Sequence, residues 1–139
     1  MILEVVKECS FDAAHFLPGY DGKCGRIHGH RWIVQIGFKG EVDPKTGMVI
    51  DFTKIKRDIE QNIINIVDHT FLNEIVFEED SSIFSFPRNM PTAENIVGWI
   101  TRFLEMYVNT EFNQKVSFVR LYESPTSYVE WRKENNVEN

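Results

Sequence analysis

The chain has 139 residues, 42% hydrophobic and 26% charged, with a net charge of −6. That length fits one domain, residues 1–139, able to bury a core of its own, and the acidic balance argues against a chain dedicated to nucleic acid, which calls for a basic face. Two cysteines, Cys9 and Cys24, make no disulfide framework, no stretch approaches the roughly 20 apolar residues of a membrane span, and MILEVVKECS with Glu4 and Glu8 does not read as a signal peptide, so a cytoplasmic protein is expected.

Residues 2 to about 16, ILEVVKECSFDAAHF, are rich in Val, Ile and Phe and break at Pro18-Gly19, as a strand does. Cys9 within it reads as a buried, inert thiol. LPGYDGKCGR follows as a loop with three glycines and a proline. From His28 to about Lys39 the pattern alternates: His28, His30, Trp32, Val34, Ile36 and Phe38 share one parity, Arg31 and Gln35 the other. GEVDPKTGMV reads as a turn between elements.

The period then changes. In FTKIKRDIEQNIINIVDHTFLN, Ile55, Ile59, Ile63, Ile66 and Val67 recur at three- and four-residue spacing, which predicts an amphipathic helix with Thr53 as N-cap. The segment 76–89, VFEEDSSIFSFPRN, reads as a decorated loop. A second helix follows MPT, capped by Thr92, with Glu94 in its first turn and Ile96, Ile100, Phe103, Leu104 and Tyr107 as its stripe. KVSFVRLYE and TSYVEWR read as two strands around Ser124-Pro125. This order predicts an α+β fold, a four-stranded antiparallel sheet with two helices on one face. Its open edges and bare face call for other copies of the chain.

Side chains at i and i+2 on a strand share a face, so His28 and His30 project together, suited to converge on one metal ion. His15, closing FDAAH after two small alanines, would complete a set of three histidines, the arrangement that leaves zinc an open position. Neutral imidazole also suits iron, copper or nickel, and zinc is the default. Cys24, beside Lys23 and Arg26 in a glycine-rich loop, reads as a fourth ligand, as a thiolate base helped to ionise by a nearby cation, or as a free loop thiol. Asp68 and His69 form either a carboxylate–imidazole pair or a histidine favoured at a helix end. Glu123, where a strand meets a turn, is either solvated or a bidentate acceptor for a planar ligand with two neighbouring N–H groups.

Taken in order, FDAAH, CGRIHGH, VDHTFLN, PTAEN and YESPTS resemble the successive signatures of the 6-pyruvoyltetrahydropterin and 6-carboxytetrahydropterin synthase superfamily, from about residue 8 to about residue 131. The Cys-x-x-x-His-Gly-His spacing and the Glu-Ser-Pro-Thr-Ser ending are similar to the carboxy branch, which serves queuosine and deazapurine synthesis. The 76–89 segment is longer than that family pattern. The resemblance implies zinc on His15, His28 and His30, Cys24 as proton acceptor, Asp68 and His69 as a proton relay, and Glu123 as anchor of the pterin ring and participant in the relay. It further implies pterin-pocket contacts from Thr92 and Glu94, and a tunnelling fold whose trimers close a barrel and stack into hexamers with sites between subunits. The implied reaction takes 7,8-dihydroneopterin triphosphate to 6-carboxy-5,6,7,8-tetrahydropterin, releasing acetaldehyde and triphosphate.

Overall fold

The computed structural model describes residues 1–75, 90–106 and 114–134. The 76–89 loop and Tyr107 lie outside the described residues. The elements run β1 (Ile2–His15), β2 (His28–Glu41), α1 (Phe52–Ile59), a π-helical turn (Glu60–Ile64), α2 (Asn65–Val67), β3 (Thr70–Phe71), α3 (Ala93–Met106), β4 (Val116–Ser124) and β5 (Ser127–Arg132).

β1 and β2 pair antiparallel along their whole length, from Ile2 opposite Glu41 to His15 opposite His28. β4 pairs antiparallel with β2 and β5 with β4. The sheet, however, has five strands in the order β3-β1-β2-β4-β5, and β3 runs parallel to β1, joined through Ala13–Thr70 and Ala14–Phe71. The expected four-stranded antiparallel sheet is corrected to a mixed one. A two-residue strand that directly follows a helix is too short to leave an alternating pattern in sequence.

One face of the sheet is covered. Phe11, Ala13 and His15 of β1 and Trp32, Val34, Ile36 and Phe38 of β2 are buried. All of these but His15 meet Ile55, Ile59 and Ile63 from the first helix and Ile96, Ile100 and Leu104 from α3 in one core. Each buried Val, Ile, Leu or Phe side chain among them contributes about 1.5–3 kcal/mol of transfer free energy. The other parity of β1, Glu4, Val6, Glu8 and Ser10, is exposed.

The first helix departs from its expected face in one place. Ile66 is 45% exposed, and Ile64 is buried instead at 7%. The cause is the π-helical turn at Glu60–Ile64, which takes one more residue per turn and shifts the phase of everything after it. Its N-cap is Asp51 rather than Thr53: the Asp51 carboxylate accepts the Thr53 N–H at 2.8 Å. Thr92 caps α3 as expected, its hydroxyl accepting the Asn95 N–H at 3.1 Å. Among the described residues no helix is long and apolar enough to cross a membrane.

Candidate metal centre

The end of β1 and the start of β2 bring the three strand histidines together. His15 stands directly opposite His28, and His30 opposite Ala13. All three have the parity that faces the helices. The ring centroids lie 4.6 Å (His15–His28), 5.2 Å (His15–His30) and 4.8 Å (His28–His30) apart. From β4, Glu123 continues the row of Val119 and Leu121 onto the same face. One ligand atom from each of His15, His28, His30 and Glu123 lies within 4.8 Å of all the others.

The outer nitrogens fix what the inner ones can do. His15 Nδ1 is 2.8 Å from the Pro91 carbonyl, and His28 Nδ1 is 2.6 Å from the Arg26 carbonyl. A carbonyl only accepts, so each Nδ1 carries the proton and each Nε2 presents a lone pair. His15 Nε2 and His30 Nε2 are buried without a hydrogen-bond partner. Glu123 Oε1 lies 3.2 Å from His30 Nε2 and 3.7 Å from His15 Nε2, close enough for an ion pair but not in hydrogen-bond geometry. Leaving such an atom unsatisfied costs about 1–3 kcal/mol, and a cation among these nitrogens removes that cost. Three imidazole nitrogens fit a first-row divalent metal, and the Glu123 carboxylate lies beside them.

Burial pushes the His15 imidazole below the usual histidine range, partly offset by its bond to Pro91. Burial does the same to His30, with Glu123 pulling the other way. Both are therefore neutral, ready to bind a metal, at neutral pH. Trp32 forms the floor: its ring meets His15 and His30 edge-on at 5.0 and 5.3 Å, and its indole N–H donates to the Ala13 carbonyl at 3.3 Å.

A second group gathers Asp12, Asp68 and His69. The Asp68 carboxylate accepts the Asp12 N–H at 2.9 Å and lies 3.0 Å from His69 Nδ1. The His69 N–H donates in turn to the Asp12 carbonyl at 2.6 Å. His69 lies in the left-handed region, at φ 58°, which is uncommon for a non-glycine residue, and these bonds hold it there. The Asp12 N–H, foremost, holds the Asp68 carboxyl below the usual carboxylate range. The His69 side chain is 78% exposed.

Cys24 belongs to neither group among the described residues. It sits in a short 3₁₀ turn, Lys23–Gly25, whose position is set by the Leu17 N–H donating to the Cys24 carbonyl at 2.7 Å. Gly25 is required there, since a Cβ would fall 2.2 Å from the Tyr20 carbonyl oxygen.

The model of the family described as 6-pyruvoyl tetrahydropterin synthase matches residues 4–134. The chain belongs to that family. It is 32% identical to the 6-carboxy-5,6,7,8-tetrahydropterin synthase of Haemophilus influenzae over 145 residues, covering 95% of this chain and all of the relative. It is 32% identical to the enzyme of the same name from Bacillus subtilis over 130 residues, covering 93% and 84%. The solved structure of Caenorhabditis elegans 6-pyruvoyl tetrahydropterin synthase superposes with a TM-score of 0.76 at 25% identity, covering 96% of this chain and 97% of that one.

In this member of the family, the signatures that look separate in sequence serve one another. PTAEN supplies the carbonyl that orients His15, through Pro91. Thr92 is engaged as a helix cap, Asn95 ties back to the Met90 carbonyl at 2.8 Å, and Glu94 is exposed in the first turn. Reading the sequence missed Asp12, although it lies inside FDAAH, because its part is played mostly by its main chain. The carbonyls of Pro91 and Arg26 were missed for the same reason, since a carbonyl has no residue signature.

Proposed function

We propose that this chain is a zinc-dependent carbon–carbon lyase, a cytoplasmic enzyme of the route to queuosine and related deazapurines. It converts 7,8-dihydroneopterin triphosphate to 6-carboxy-5,6,7,8-tetrahydropterin and releases acetaldehyde and triphosphate. The observation that carries this reading is the convergence of the His15, His28 and His30 ring nitrogens, two of them buried and unpartnered, with Cys24 outside their set. The names of the bacterial relatives support the carboxy product.

His15, His28 and His30 would hold the zinc, with tautomers already set by Pro91 and Arg26 at the first two. Bound there, zinc supplies Lewis acidity to side-chain oxygens of the substrate. The remaining work falls to the chain's own groups. The Cys24 thiolate takes a carbon-bound proton of the substrate. Asp68 holds the Nδ1–H of His69, so that Nε2, on an exposed ring, can move a second proton. Glu123 takes the pterin's neighbouring N–H groups on its two oxygens and joins the relay, and Thr92 and Glu94 complete the ring pocket.

The histidine group and the relay group are separate sets within one protomer. Asp12 has the parity opposite to that of Ala13 and His15, on the side of the sheet away from the described helices. Among the described residues the outer edge of β1 is bridged only at Ala13 and Ala14, Ile2, Leu3 and Val6 are exposed, and β5 forms the other edge. These features support a homo-oligomer, a trimer or hexamer, in which a neighbour's Asp68–His69 pair meets this chain's histidines.

Likeness to the nematode structure favours a second reading, a 6-pyruvoyltetrahydropterin synthase that eliminates triphosphate and keeps the three-carbon side chain. Incubating the zinc-loaded protein with 7,8-dihydroneopterin triphosphate and identifying products by mass spectrometry separates the two. Acetaldehyde with the 6-carboxy product is expected. A 6-pyruvoyl product without acetaldehyde supports the second reading, and zinc bound at full stoichiometry with no turnover makes the chain a binding protein.

A further inference from the structure

Asn73 closes the VDHTFLN segment, and none of the chemistry above uses it. Its side chain makes two hydrogen bonds to a single residue: Oδ1 accepts the Phe16 N–H at 2.9 Å, and Nδ2 donates to the Phe16 carbonyl at 2.9 Å. This is the pattern of a β-ladder partner, supplied by a side-chain amide. Phe16 has need of one. The β1–β2 ladder ends at His15–His28 and the β1–β3 bridge at Ala14–Phe71, so among the described residues no strand lies beside Phe16. Main-chain groups left unpaired away from water are unfavourable, so the amide meets a need of the backbone there.

The clamp sits between three functional groups. Phe16 directly follows the ligand His15. The next residue, Leu17, donates its N–H to the Cys24 carbonyl at 2.7 Å and accepts the Tyr20 N–H at 3.2 Å. The turn that carries the thiol is thus fastened one residue beyond the clamp. On the other side, Asn73 lies four residues after His69, on a segment joined to β1 by the His69–Asp12 hydrogen bond and the Thr70 and Phe71 bridges.

We infer that Asn73 is a positioning residue, whose paired hydrogen bonds to Phe16 set the Cys24 turn relative to His15 and the His69 segment. The inference rests on the proposed role of Cys24 as base. The amide is the chemistry required. Aspartate keeps an acceptor for the Phe16 N–H but turns a carboxylate toward the Phe16 carbonyl, and alanine loses both bonds.

The test uses the full chain, with Asn73→Ala, Asn73→Asp and Cys24→Ala compared to the parent. The first readout is amide hydrogen exchange in the metal-free protein. In Asn73→Ala the Phe16 and Leu17 amides are expected to exchange at least about tenfold faster, while the paired amides inside the β1–β2 ladder keep their protection. The second readout is turnover per zinc-loaded chain. There kcat is expected to fall on the order of tenfold to a hundredfold, with KM changed by less than about twofold. A residue that only holds the fold together would lower Tm and the fraction of chains loaded with zinc, yet leave Leu17 protection and kcat per loaded chain unchanged. That result overturns the inference. Should Asn73→Ala fail to fold, Asn73→Asp, which retains the bond to the Phe16 N–H and loses the one to the Phe16 carbonyl, is read by Leu17 exchange and kcat per loaded chain. If Cys24→Ala keeps full turnover, the proposed role of the thiol falls, and Leu17 exchange alone then decides whether the clamp holds the turn.

Discussion

His15 and His28 are direct cross-strand partners with rings 4.6 Å apart, and each is turned by a main-chain carbonyl so that its Nε2 faces inward. The pairing register of β1 and β2 therefore sets the spacing of the two imidazoles, and His30 joins them by parity alone.

Alanine at His15, His28 or His30 is accordingly expected to abolish stoichiometric metal binding, measured by elemental analysis after desalting. Loss of a group that hydrogen-bonds and orients a metal-binding histidine costs about 10–100-fold in metal affinity, and loss of the histidine itself should exceed that. Cys24→Ala is expected to keep its metal and lose turnover. Metal lost together with the thiol would make the centre a closed four-ligand site.

The Asp68–His69 pair should behave differently. His69 is 78% exposed, so His69→Ala is expected to leave Tm and metal content unchanged while kcat falls about 10²–10⁴-fold. Asp68→Asn keeps an acceptor for the Asp12 N–H but loses the charge beside the imidazole. It should retain metal and shift the pH–rate profile. An unchanged kcat in both variants would remove the pair from the mechanism.

Acid should destabilise the metal-free protein in two stages. Burial holds His15 and His30 below the usual histidine value, while in the unfolded chain both titrate near about 6.5. The unfolded chain thus takes up protons first, and stability falls as pH drops from about 6.5 toward the lower folded values. Asp68 is depressed mainly by the Asp12 N–H. Its contribution is complete above about 3.9 and is lost as pH falls from there through its folded value. Urea titrations at a series of pH values should show a plateau near pH 7–8 and a first decline below about 6.5 that His30→Asn makes shallower. Stability rising between pH 7 and 5 would contradict the assignment.

The π-helical turn gives a prediction about stability alone. Ile64, 7% exposed, should cost about 2–5 kcal/mol when cut to alanine, and Ile66, 45% exposed, no more than about 0.5 kcal/mol. A regular helix over the same residues predicts the opposite order. Denaturant midpoints of the two variants decide between them.

That pair also marks where sequence reading stops. The 3.6-residue period correctly finds Ile55, Ile59, Ile63 and Val67, but a π-helical turn has no composition of its own, so the phase slip at Glu60–Ile64 is invisible until the chain is folded. The alternation that puts His28, His30, Trp32 and Val34 on one face is legible because a half-covered strand must alternate. β3 was not legible, because two residues cannot display a period and its pairing is completed by Asn73 and by the main chain of Asp12. The three histidines could be named from spacing and resemblance, whereas the carbonyls that aim them could not, since every residue has one.

The most direct test of the centre is X-ray absorption at the zinc edge of the zinc-loaded protein. Three imidazole nitrogens at about 2.0–2.1 Å with only oxygen besides are expected. A sulfur shell at about 2.3 Å would place Cys24 on the metal and leave the proposed reaction without its base.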